Sequence, residues 1–160
     1  MKICIYGAGA VGGFIGAHLA NAGHRVHVVA RRPTLDALQR NGLRMQSSGR
    51  LFVEKVYATD SPADLGVQDL VIIAVKATAL TQVAQGIAPL IGPSTIVMTA
   101  MNGIPWWFLD GFGGSYAGTR LASVDPGGLI ADRIPASQIV GCVVHGSFFL
   151  HEPGFVQHVF

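Results

Sequence analysis

Residues 3–12 of this chain read Ile3-Cys4-Ile5-Tyr6-Gly7-Ala8-Gly9-Ala10-Val11-Gly12, and they decide its fold. An apolar run suited to a buried strand ends at three glycines with the spacing G-x-G-x-x-G, and the residues up to Ala22 can form a helix that Gly23 ends. A strand, a glycine-rich turn and a helix in this order are typical of a dinucleotide-binding βαβ unit.

The glycine spacing has a physical reason in such a unit. Gly7 allows the sharp turn, Gly9 lets the backbone approach a pyrophosphate, and Gly12 lets the helix pack closely on the strand. Unpaired N–H groups at the start of the helix then stabilise anionic oxygens, so the turn needs no basic side chain. We therefore predict a pyrophosphate site formed by Gly7, Ala8, Gly9, Ala10, Val11 and Gly12.

The residues after the second predicted strand, Val26–Ala30, indicate which dinucleotide is bound. NAD-specific proteins place an Asp or Glu there to hydrogen-bond the ribose 2′-hydroxyl, but this chain has no carboxylate before Asp36. It has Arg31 and Arg32 instead, and guanidinium groups can pair with a 2′-phosphate. The pattern predicts NADP as the cofactor, with a solvated basic loop as the alternative.

The rest of the chain alternates strand and helix signals, which predicts a Rossmann-type, doubly wound α/β fold. The predicted sheet is mostly parallel with some antiparallel strands, and residues 1–160 are predicted to form one NADP-binding domain. The further predicted elements are a helix from Pro33 to about Gly42, a hairpin over Gly42–Ala58, a strand over Asp69–Val75, a helix over Thr78–Ile91, a strand over Thr95–Met98, a long glycine-rich loop over residues 110–128, and strands over Ile139–Phe149 and Gly154–Phe160.

The composition excludes several classes of function. Half of the residues are apolar and 12% are charged, as in a globular protein with a large core. The net charge of +2 comes without a basic run, so we expect no nucleic-acid partner. Pro and Gly residues interrupt the uncharged stretch over residues 77–109, so we expect no membrane span. The only cysteines, Cys4 and Cys142, are interpreted as thiols in strands, which favours a reducing, cytoplasmic location.

Two further runs give the chain a family resemblance. With the glycine turn and Arg31, the runs Val75-Lys76-Ala77 and Met101-Asn102-Gly103-Ile104-Pro105-Trp106-Trp107 make the whole chain resemble the ketopantoate reductase, or 2-dehydropantoate 2-reductase, family. The resemblance implies NADPH-dependent reduction of the keto acid 2-dehydropantoate to pantoate, on the route to pantothenate and coenzyme A. It also implies an all-helical substrate domain beyond residue 160, which makes this chain a truncated form, and it leaves a homodimer open as the assembly.

The resemblance also implies roles for single residues. Arg31 would hold the 2′-phosphate, Lys76 would lie beside the cofactor, and Asn102 would contact both nicotinamide and substrate. The backbone of Ser147 would contact the cofactor, while Met101 replaces the Gln or His that is usual in the family. The general acid of the family is a lysine of the helical domain, so no catalytic residue is assigned here. We expect the chain alone to bind NADPH weakly and to turn over nothing.

Other interpretations of the same residues stay open. Lys76 could extend into solvent, and Asn102-Gly103 could be a plain turn. The chain could be a stand-alone NADP-binding module, or a related reductase with a different ketone. A hydrolase with Ser115, Asp125 and His145 is disfavoured because no apolar strand precedes the serine. No metal site is expected, since His24 and His27 lack further ligands nearby; they should flank or line the second strand.

Overall fold

The computed structural model describes residues 1–111 and 113–160, and in them strands and helices alternate over most of the chain. The described strands are β1 (Lys2–Tyr6), β2 (Arg25–Val29), β3 (Leu43–Ser47), β4 (Arg50–Glu54), β5 (Tyr57–Thr59), β6 (Leu70–Ile73), β7 (Ile96–Ala100), β8 (Ile139–Cys142), β9 (Phe148–Glu152) and β10 (Phe155–His158). The described α-helices are α1 (Ala10–Asn21), α2 (Thr34–Asn41), α3 (Leu80–Gly86) and α4 (Leu129–Arg133).

Six of the described strands form a sheet in the order β5-β2-β1-β6-β7-β8, and every neighbouring pair is parallel. Numbered by their succession in the chain, these strands stand in the order 3-2-1-4-5-6 of the Rossmann fold. The order reverses between β1 and β6, and ligands of such sheets bind outside the carboxyl ends of the strands at this reversal. The predicted doubly wound α/β class is confirmed.

The antiparallel strands lie in a second, smaller sheet with the order β4-β3-β10-β9. The predicted hairpin is confirmed as β3 and β4, joined at Ser48 and Gly49, which both have positive φ. This sheet covers α1: a Cβ at Gly13 would lie 2.5 Å from Val156, and one at Gly16 would lie 3.1 Å from Leu43. Glycines in α1 therefore let the helix approach both sheets.

One predicted element is wrong in its extent. Residues 139–149 were predicted as one strand, but the structure divides them into β8, which pairs with β7, and β9, which pairs with β10. Residues 143–147 carry the chain from the first sheet to the second. His145-Gly146-Ser147 interrupts the apolar pattern at this crossing, and the single-strand prediction passed over this turn signal.

The predicted helix over Thr78–Ile91 has a different internal structure from a single α-helix. A 3₁₀ turn at Ala77–Ala79 leads into α3, and a second 3₁₀ turn at Ala88–Leu90 contains Pro89. The proline therefore interrupts the helix near the predicted position, because it cannot donate the next helical hydrogen bond.

The core lies on both faces of the parallel sheet. Along β1, Ile3 and Ile5 pack on the side of α1, whereas Cys4 packs on the side of α3. A strand buried on both faces needs apolar residues at successive positions, which is the pattern that the sequence shows. Among the described residues, no helix combines the length and the apolar character that crossing a bilayer requires.

Candidate functional site

The turn between β1 and α1 has the geometry that its glycines predict. Gly7 has φ +98°, and its N–H donates to the carbonyl oxygen of Val29, 3.0 Å away, which joins the turn to β2. A Cβ at Gly7 would lie 2.6 Å from Val75, and one at Gly12 would overlap the carbonyl oxygen of Gly7. Positive φ at the first position and close packing at the third therefore both require glycine.

Gly9 differs from the other two glycines because space is open around it. A Cβ there would meet nothing within 4 Å. Gly9 is the N-cap of α1, and its carbonyl accepts the first helical bond, from Gly13 at 2.8 Å. The N–H groups of Ala10, Val11 and Gly12 precede that bond and have no acceptor within the helix, so they face the turn with the positive end of the helix dipole.

The open space continues into a cleft of about 300 Å³ at the carboxyl ends of β1, β2, β5 and β6. We call it the nucleotide cleft. Gly7, Ala8 and Gly9 lie in its wall together with Arg31, whereas Ala10, Val11 and Gly12 lie behind them at the start of α1. The lining residues are Tyr6, Gly7, Ala8, Gly9, Val29, Ala30, Arg31, Arg32, Thr34, Asp60, Val75, Ala79, Gln82, Val83 and Leu150.

The two arginines of the cleft have different partners. Arg31 donates from Nη1 to Oε1 of Gln82, 3.2 Å away, so its partner is a neutral amide. Arg32 pairs with Asp36 at 3.6 Å, one helical turn away. Arg31 therefore keeps its full positive charge for a ligand, whereas the charge of Arg32 is partly balanced.

Burial changes the acidity of two groups beside the cleft. It raises the pKa of the Cys4 thiol to about 12, because the thiolate would lose its hydration there. Burial, and then the neighbouring Cys4, raise the pKa of Tyr6, while Arg31 acts in the opposite direction. The Tyr6 phenol therefore stays neutral in the cleft wall and can donate a hydrogen bond at neutral pH.

A second cavity lies at the carboxyl ends of β7 and β8 and has a volume of about 640 Å³. We call it the indole pocket, because Trp106 and Trp107 are both in its wall. Apart from Thr99, Asn102 and the thiol of Cys142, its lining side chains are apolar or absent. The lining residues are Ala77, Leu80, Thr99, Met101, Asn102, Gly103, Ile104, Pro105, Trp106, Trp107, Phe108, Val124, Gly141, Cys142 and Val143.

Lys76 and Asn102 lie at this edge of the sheet. Lys76 is exposed and stands in the chain between Val75, which lines the nucleotide cleft, and Ala77, which lines the indole pocket. Asn102 connects the ends of β7 and β8: its Nδ2 donates to the carbonyl oxygen of Val144 at 3.1 Å, and its Oδ1 accepts from the Val144 N–H at 2.9 Å. Each of these Asn102 atoms can make one more hydrogen bond.

Ser147 lies away from both cavities in the crossing between the sheets. Its N–H donates to the carbonyl oxygen of Phe160 at 2.9 Å, and its carbonyl oxygen accepts from the N–H of Val159 at 2.9 Å. The backbone of Ser147 therefore has partners within the chain. Ser147 lines neither the nucleotide cleft, where Gly7 and Arg31 lie, nor the indole pocket.

Comparisons with known proteins identify the family. The model of the ketopantoate reductase PanE/ApbA family matches residues 3–105 of this chain. The chain belongs to this family.

Named relatives agree with the assignment to the ketopantoate reductases. The 2-dehydropantoate 2-reductase of Mesorhizobium japonicum is 46% identical over 160 residues, which are 99% of this chain and 49% of that protein. A crystal structure from Ralstonia solanacearum, assigned as a ketopantoate reductase, is similar with a TM-score of 0.95 and 54% identity, over 99% of this chain and 49% of that one. A crystal structure of a PanE/ApbA family ketopantoate reductase from Ralstonia eutropha is similar with a TM-score of 0.78 and 28% identity, over 99% of this chain and 46% of that one. The chain thus spans about half the length of these relatives.

Asp125 and Ser115, two residues named for the hydrolase alternative, have settings that do not suit that chemistry. The carboxylate of Asp125, which is 3% exposed, accepts the N–H groups of Ile130 at 2.9 Å and Ala131 at 3.0 Å and so stabilises the start of α4. Ser115 lies in a 3₁₀ turn, and the described residues between the end of β7 at Ala100 and Ser115 contain no strand. The strand-to-helix turn of a nucleophilic serine is therefore not formed.

The two histidines near the second strand lie in it or beside it, as the sequence predicts. His27 lies in β2, and its Nδ1 is 2.9 Å from Oε1 of the buried Gln68, while His24 precedes the strand. In the described part of the chain, no three His, Cys, Asp or Glu side chains come together in an arrangement that could hold a metal ion.

The sequence analysis missed several residues that line the two cavities. Gln82 of α3 and Asp60 after β5 line the nucleotide cleft, and most of the indole pocket was not foreseen. Gln82 lay in a predicted helix, but which face of that helix meets the cleft depends on how α3 packs on the sheet. Trp106 and Trp107 were noted only as part of a family-like run, with no indication that they border a cavity.

Proposed function

We propose that this chain is the NADP-binding part of an NADPH-dependent reductase that converts 2-dehydropantoate to pantoate, a step towards pantothenate and coenzyme A. The observation that carries the proposal is the turn between β1 and α1. It combines unpaired helix N–H groups, open space at Gly9 and an uncompensated Arg31 in one cleft. Family membership supports the reaction class.

The turn fits a dinucleotide because it is tightly packed at Gly12, on the side of the strand, and open at Gly9, on the side of the cleft. Gly12 leaves no room for a side chain towards Gly7, so α1 lies close against the turn. Gly9 leaves its outer side open, so a pyrophosphate can approach the backbone there. The N–H groups of Ala10, Val11 and Gly12 then supply donors and a favourable dipole to the phosphate oxygens without any basic side chain.

Arg31 supports NADP over NAD. The residue follows β2, where the adenosine ribose lies in Rossmann folds, and it lines the cleft. A phosphate on the 2′-oxygen would gain a charge-assisted hydrogen bond from this guanidinium, which Gln82 holds in place through a neutral contact. Arg32 contributes less because Asp36 is already its partner.

The proposal assigns the nicotinamide end to Lys76 and Asn102. When bound, the reduced nicotinamide supplies a hydride to the carbonyl carbon of the keto acid, whose oxygen takes a proton and becomes the hydroxyl of pantoate. Asn102 has one free hydrogen-bonding position on each amide atom, which suits a carboxamide or a substrate oxygen. Lys76 adds a positive charge between the two cavities, whereas the backbone of Ser147 already has partners within the chain and is not part of the proposal.

The proton donor is assigned to the whole protein rather than to this chain. We propose that residues 1–160 are the NADP-binding domain and that a lysine of a helical domain beyond residue 160 acts as the general acid. A charged donor at the ketone oxygen would stabilise the alkoxide that develops during hydride transfer. The keto acid is then the small-molecule partner, and a homodimer remains part of the proposal for the complete enzyme.

Nucleotide titration of the chain tests the proposal. NADPH should bind more tightly than NADH, and Arg31→Glu should weaken NADPH by roughly tenfold or more, since a hydrogen bond to a charged group contributes about 1.5–3 kcal/mol. NADH binding should change little. Arg50→Glu is the matched control, because it makes the same charge change at an exposed residue of β4.

Three results would contradict the proposal. Equal affinity for NADPH and NADH would contradict the cofactor assignment, and so would equal effects of the two charge reversals. Oxidation of NADPH by the chain alone in the presence of 2-dehydropantoate would contradict the assignment of the general acid, because we expect the chain to bind the cofactor weakly without turnover.

A further inference from the structure

We propose that the nucleotide cleft selects the purine base of its cofactor through two side chains of its wall, Asp60 and Gln82. The Asp60 carboxylate accepts a hydrogen bond from the amino group of adenine, and the Gln82 amide donates one to the neighbouring ring nitrogen. This inference rests on the proposed function, because it concerns the adenosine end of the same dinucleotide. It makes the two residues determinants of the base, as Arg31 is of the 2′-phosphate.

The register of the parallel sheet places Asp60 at the end of the cleft to which the adenosine is assigned. β5 pairs with β2 up to Thr59 and Val29, and the N–H of Ala30 donates to the carbonyl oxygen of Thr59 at 3.0 Å. Asp60 therefore follows the last paired residue of β5 and adjoins Ala30, which directly precedes Arg31. The adenosine of a dinucleotide lies at the end of this second strand in Rossmann folds.

The carboxylate of Asp60 is exposed and has no hydrogen bond or ion pair with the described residues. The turn around it is held by other groups: Oγ1 of Thr59 donates to Oδ2 of Asp64 at 2.7 Å and accepts from the N–H of Ser61 at 3.0 Å. Of the described residues that line the cleft, Asp60 is the only acidic one. A carboxylate beside a polyanion weakens its binding by repulsion, unless it meets a hydrogen-bond donor of that ligand.

Adenine carries such a donor on its polar edge. Its amino group at position 6 donates hydrogen bonds, and the adjacent ring nitrogen N1 accepts one. Hypoxanthine has the reverse arrangement, with a carbonyl oxygen at position 6 and an N–H at position 1. Because a carboxylate only accepts, Asp60 would bind the amino group of adenine and repel the carbonyl oxygen of hypoxanthine.

The amide of Gln82 has the complementary group available. An arginine side chain only donates, so the atom of Gln82 that lies 3.2 Å from Nη1 of Arg31 is the amide oxygen. The Nε2 amino group has no acceptor among the described residues and keeps both of its donors. One of them suits N1 of adenine, whereas the N–H at position 1 of hypoxanthine would oppose it.

The rest of this wall suits the flat faces of a purine. Val29, Ala30 and Val83 are buried apolar residues that line the cleft. Val83 follows Gln82 in α3, and Ala30 adjoins Asp60 across the sheet. A few polar groups within an otherwise apolar wall fix the orientation of a ligand, and selection of one base requires a fixed orientation.

Titration with a hypoxanthine analogue tests the inference. NADPH and reduced nicotinamide hypoxanthine dinucleotide phosphate differ only at positions 1 and 6 of the base, so the fluorescence of the same nicotinamide reports the binding of both. We expect the chain to bind NADPH at least about tenfold more tightly than the analogue, since repulsion replaces a hydrogen bond to a charged group. The contact between Arg31 and the 2′-phosphate is common to both ligands and cancels in this ratio.

Two substitutions with the same chemistry separate the base contact from charge. Asp60→Asn should abolish the preference, because an amide can turn either its oxygen or its amino group towards the base. Asp64→Asn removes the same charge from the same turn, outside the lining of the cleft, and keeps an acceptor for Thr59, so the ratio should not change. Gln82→Leu removes the donor to N1 and should lower the ratio about fivefold.

Asp60→Ala gives effects of opposite sign for the two explanations of this carboxylate. If the carboxylate accepts from adenine, NADPH affinity should fall roughly tenfold, and affinity for the analogue should not fall. A carboxylate that only faced solvent would repel both polyanions, so its removal would raise both affinities equally and overturn the inference. Because the carboxylate has no partner among the described residues, urea unfolding should show an unchanged free energy of unfolding.

The outcomes separate this inference from the proposed function. Equal affinity of the unaltered chain for NADPH and the analogue overturns the inference, and so does an equal loss of preference in Asp60→Asn and Asp64→Asn. In both cases a preserved preference for NADPH over NADH leaves the proposed function in place. Equal affinity for NADPH and NADH, by contrast, overturns the proposed function without altering the comparison of the two bases.

Discussion

The nucleotide cleft and the indole pocket lie at the same edge of one parallel sheet, but they are built in different ways. The polar groups of the cleft that matter most are backbone N–H groups, and their positions follow from three glycines within six residues. The wall of the pocket consists of side chains from four separate segments, around Ala77, Met101, Val124 and Gly141. The cleft is therefore a local structure, whereas the pocket depends on long-range packing.

Substitutions in the two cavities should therefore have different effects. In the cleft, a single added methyl group can block either the fold or the ligand, depending on which side of the turn it faces. In the pocket, the effect of a substitution passes through the packing of α4 and of the segment after β7.

Gly12→Ala should have the largest effect. Its Cβ would overlap the carbonyl oxygen of Gly7 and lie 2.9 Å from Ala74. Since backbone cannot yield as a flexible side chain does, we expect a loss of about 3 kcal/mol in the free energy of unfolding, at the upper end for overpacking, and loss of NADPH binding. Urea unfolding and nucleotide titration measure the two effects. A variant as stable as the unaltered chain would contradict the close packing of α1 on β1.

Asp125→Ala should lower the free energy of unfolding by about 2 kcal/mol, because a buried carboxylate that accepts two N–H groups at the start of α4 is removed. The loss should reach the indole pocket through Val124 and leave NADPH affinity unchanged.

Asp132→Ala is the control for this helix, because Asp132 forms an exposed ion pair with Arg120. Loss of this ion pair should lower the free energy of unfolding by at most about 1 kcal/mol. Equal effects of the two substitutions on urea unfolding would mean that the buried cap contributes no more than a surface pair.

Gly9→Ala should separate binding from folding. The position has ordinary φ and open space, so the free energy of unfolding should change little. The methyl group would nevertheless stand where we propose that the pyrophosphate approaches, and we expect NADPH affinity to fall roughly tenfold, about 1.4 kcal/mol. Affinity equal to that of the unaltered chain would show that the phosphates do not pass over this residue.

The buried thiol of Cys4 should make stability depend on alkaline pH. Its pKa is raised from 9.0 to about 12, so the protonated form favours the folded state, and its contribution is complete below pH 9 and is lost as the pH rises towards 12. Between pH 9 and 10 the free energy of unfolding should fall by about 1 kcal/mol more in the unaltered chain than in Cys4→Ala. Parallel pH curves for the two proteins would contradict this assignment.

Much of the first half of the fold was predictable, for identifiable reasons. The turn at Gly7, the helix end at Gly23 and the hairpin turn at Ser48 and Gly49 all have positive φ at the glycine, which the sequence signals directly. Within residues 139–149, His145-Gly146-Ser147 signals a break, but the sequence does not say which sheet each half joins. An apolar run indicates burial, but it does not say against which neighbouring strand the burial takes place.

The residues of the candidate site also fall into those that the sequence predicts and those that only the folded structure reveals. Gly7–Gly12 and Arg31 were predicted from the sequence as nucleotide-binding residues, because phosphate binding by a helix start needs a fixed local spacing, and Gly7, Ala8, Gly9 and Arg31 line one cleft in the structure. Gln82 was missed because its contact with Arg31 joins residues 51 positions apart. Asn102 was noticed as a family-like residue, but its bonds to Val144, 42 positions away, needed the fold.

The glycine-rich turn, the lack of an acidic residue directly after β2 and the α/β class could all be derived from the amino-acid sequence, since each follows from backbone preference and charge within a short segment. The folded structure was needed to show that two sheets enclose α1, that Arg31 contacts a neutral amide while Arg32 is paired with a carboxylate, and that two tryptophans border a cavity. These features depend on which distant segments meet, and burial of apolar surface is not directional enough for a linear pattern to specify its partners.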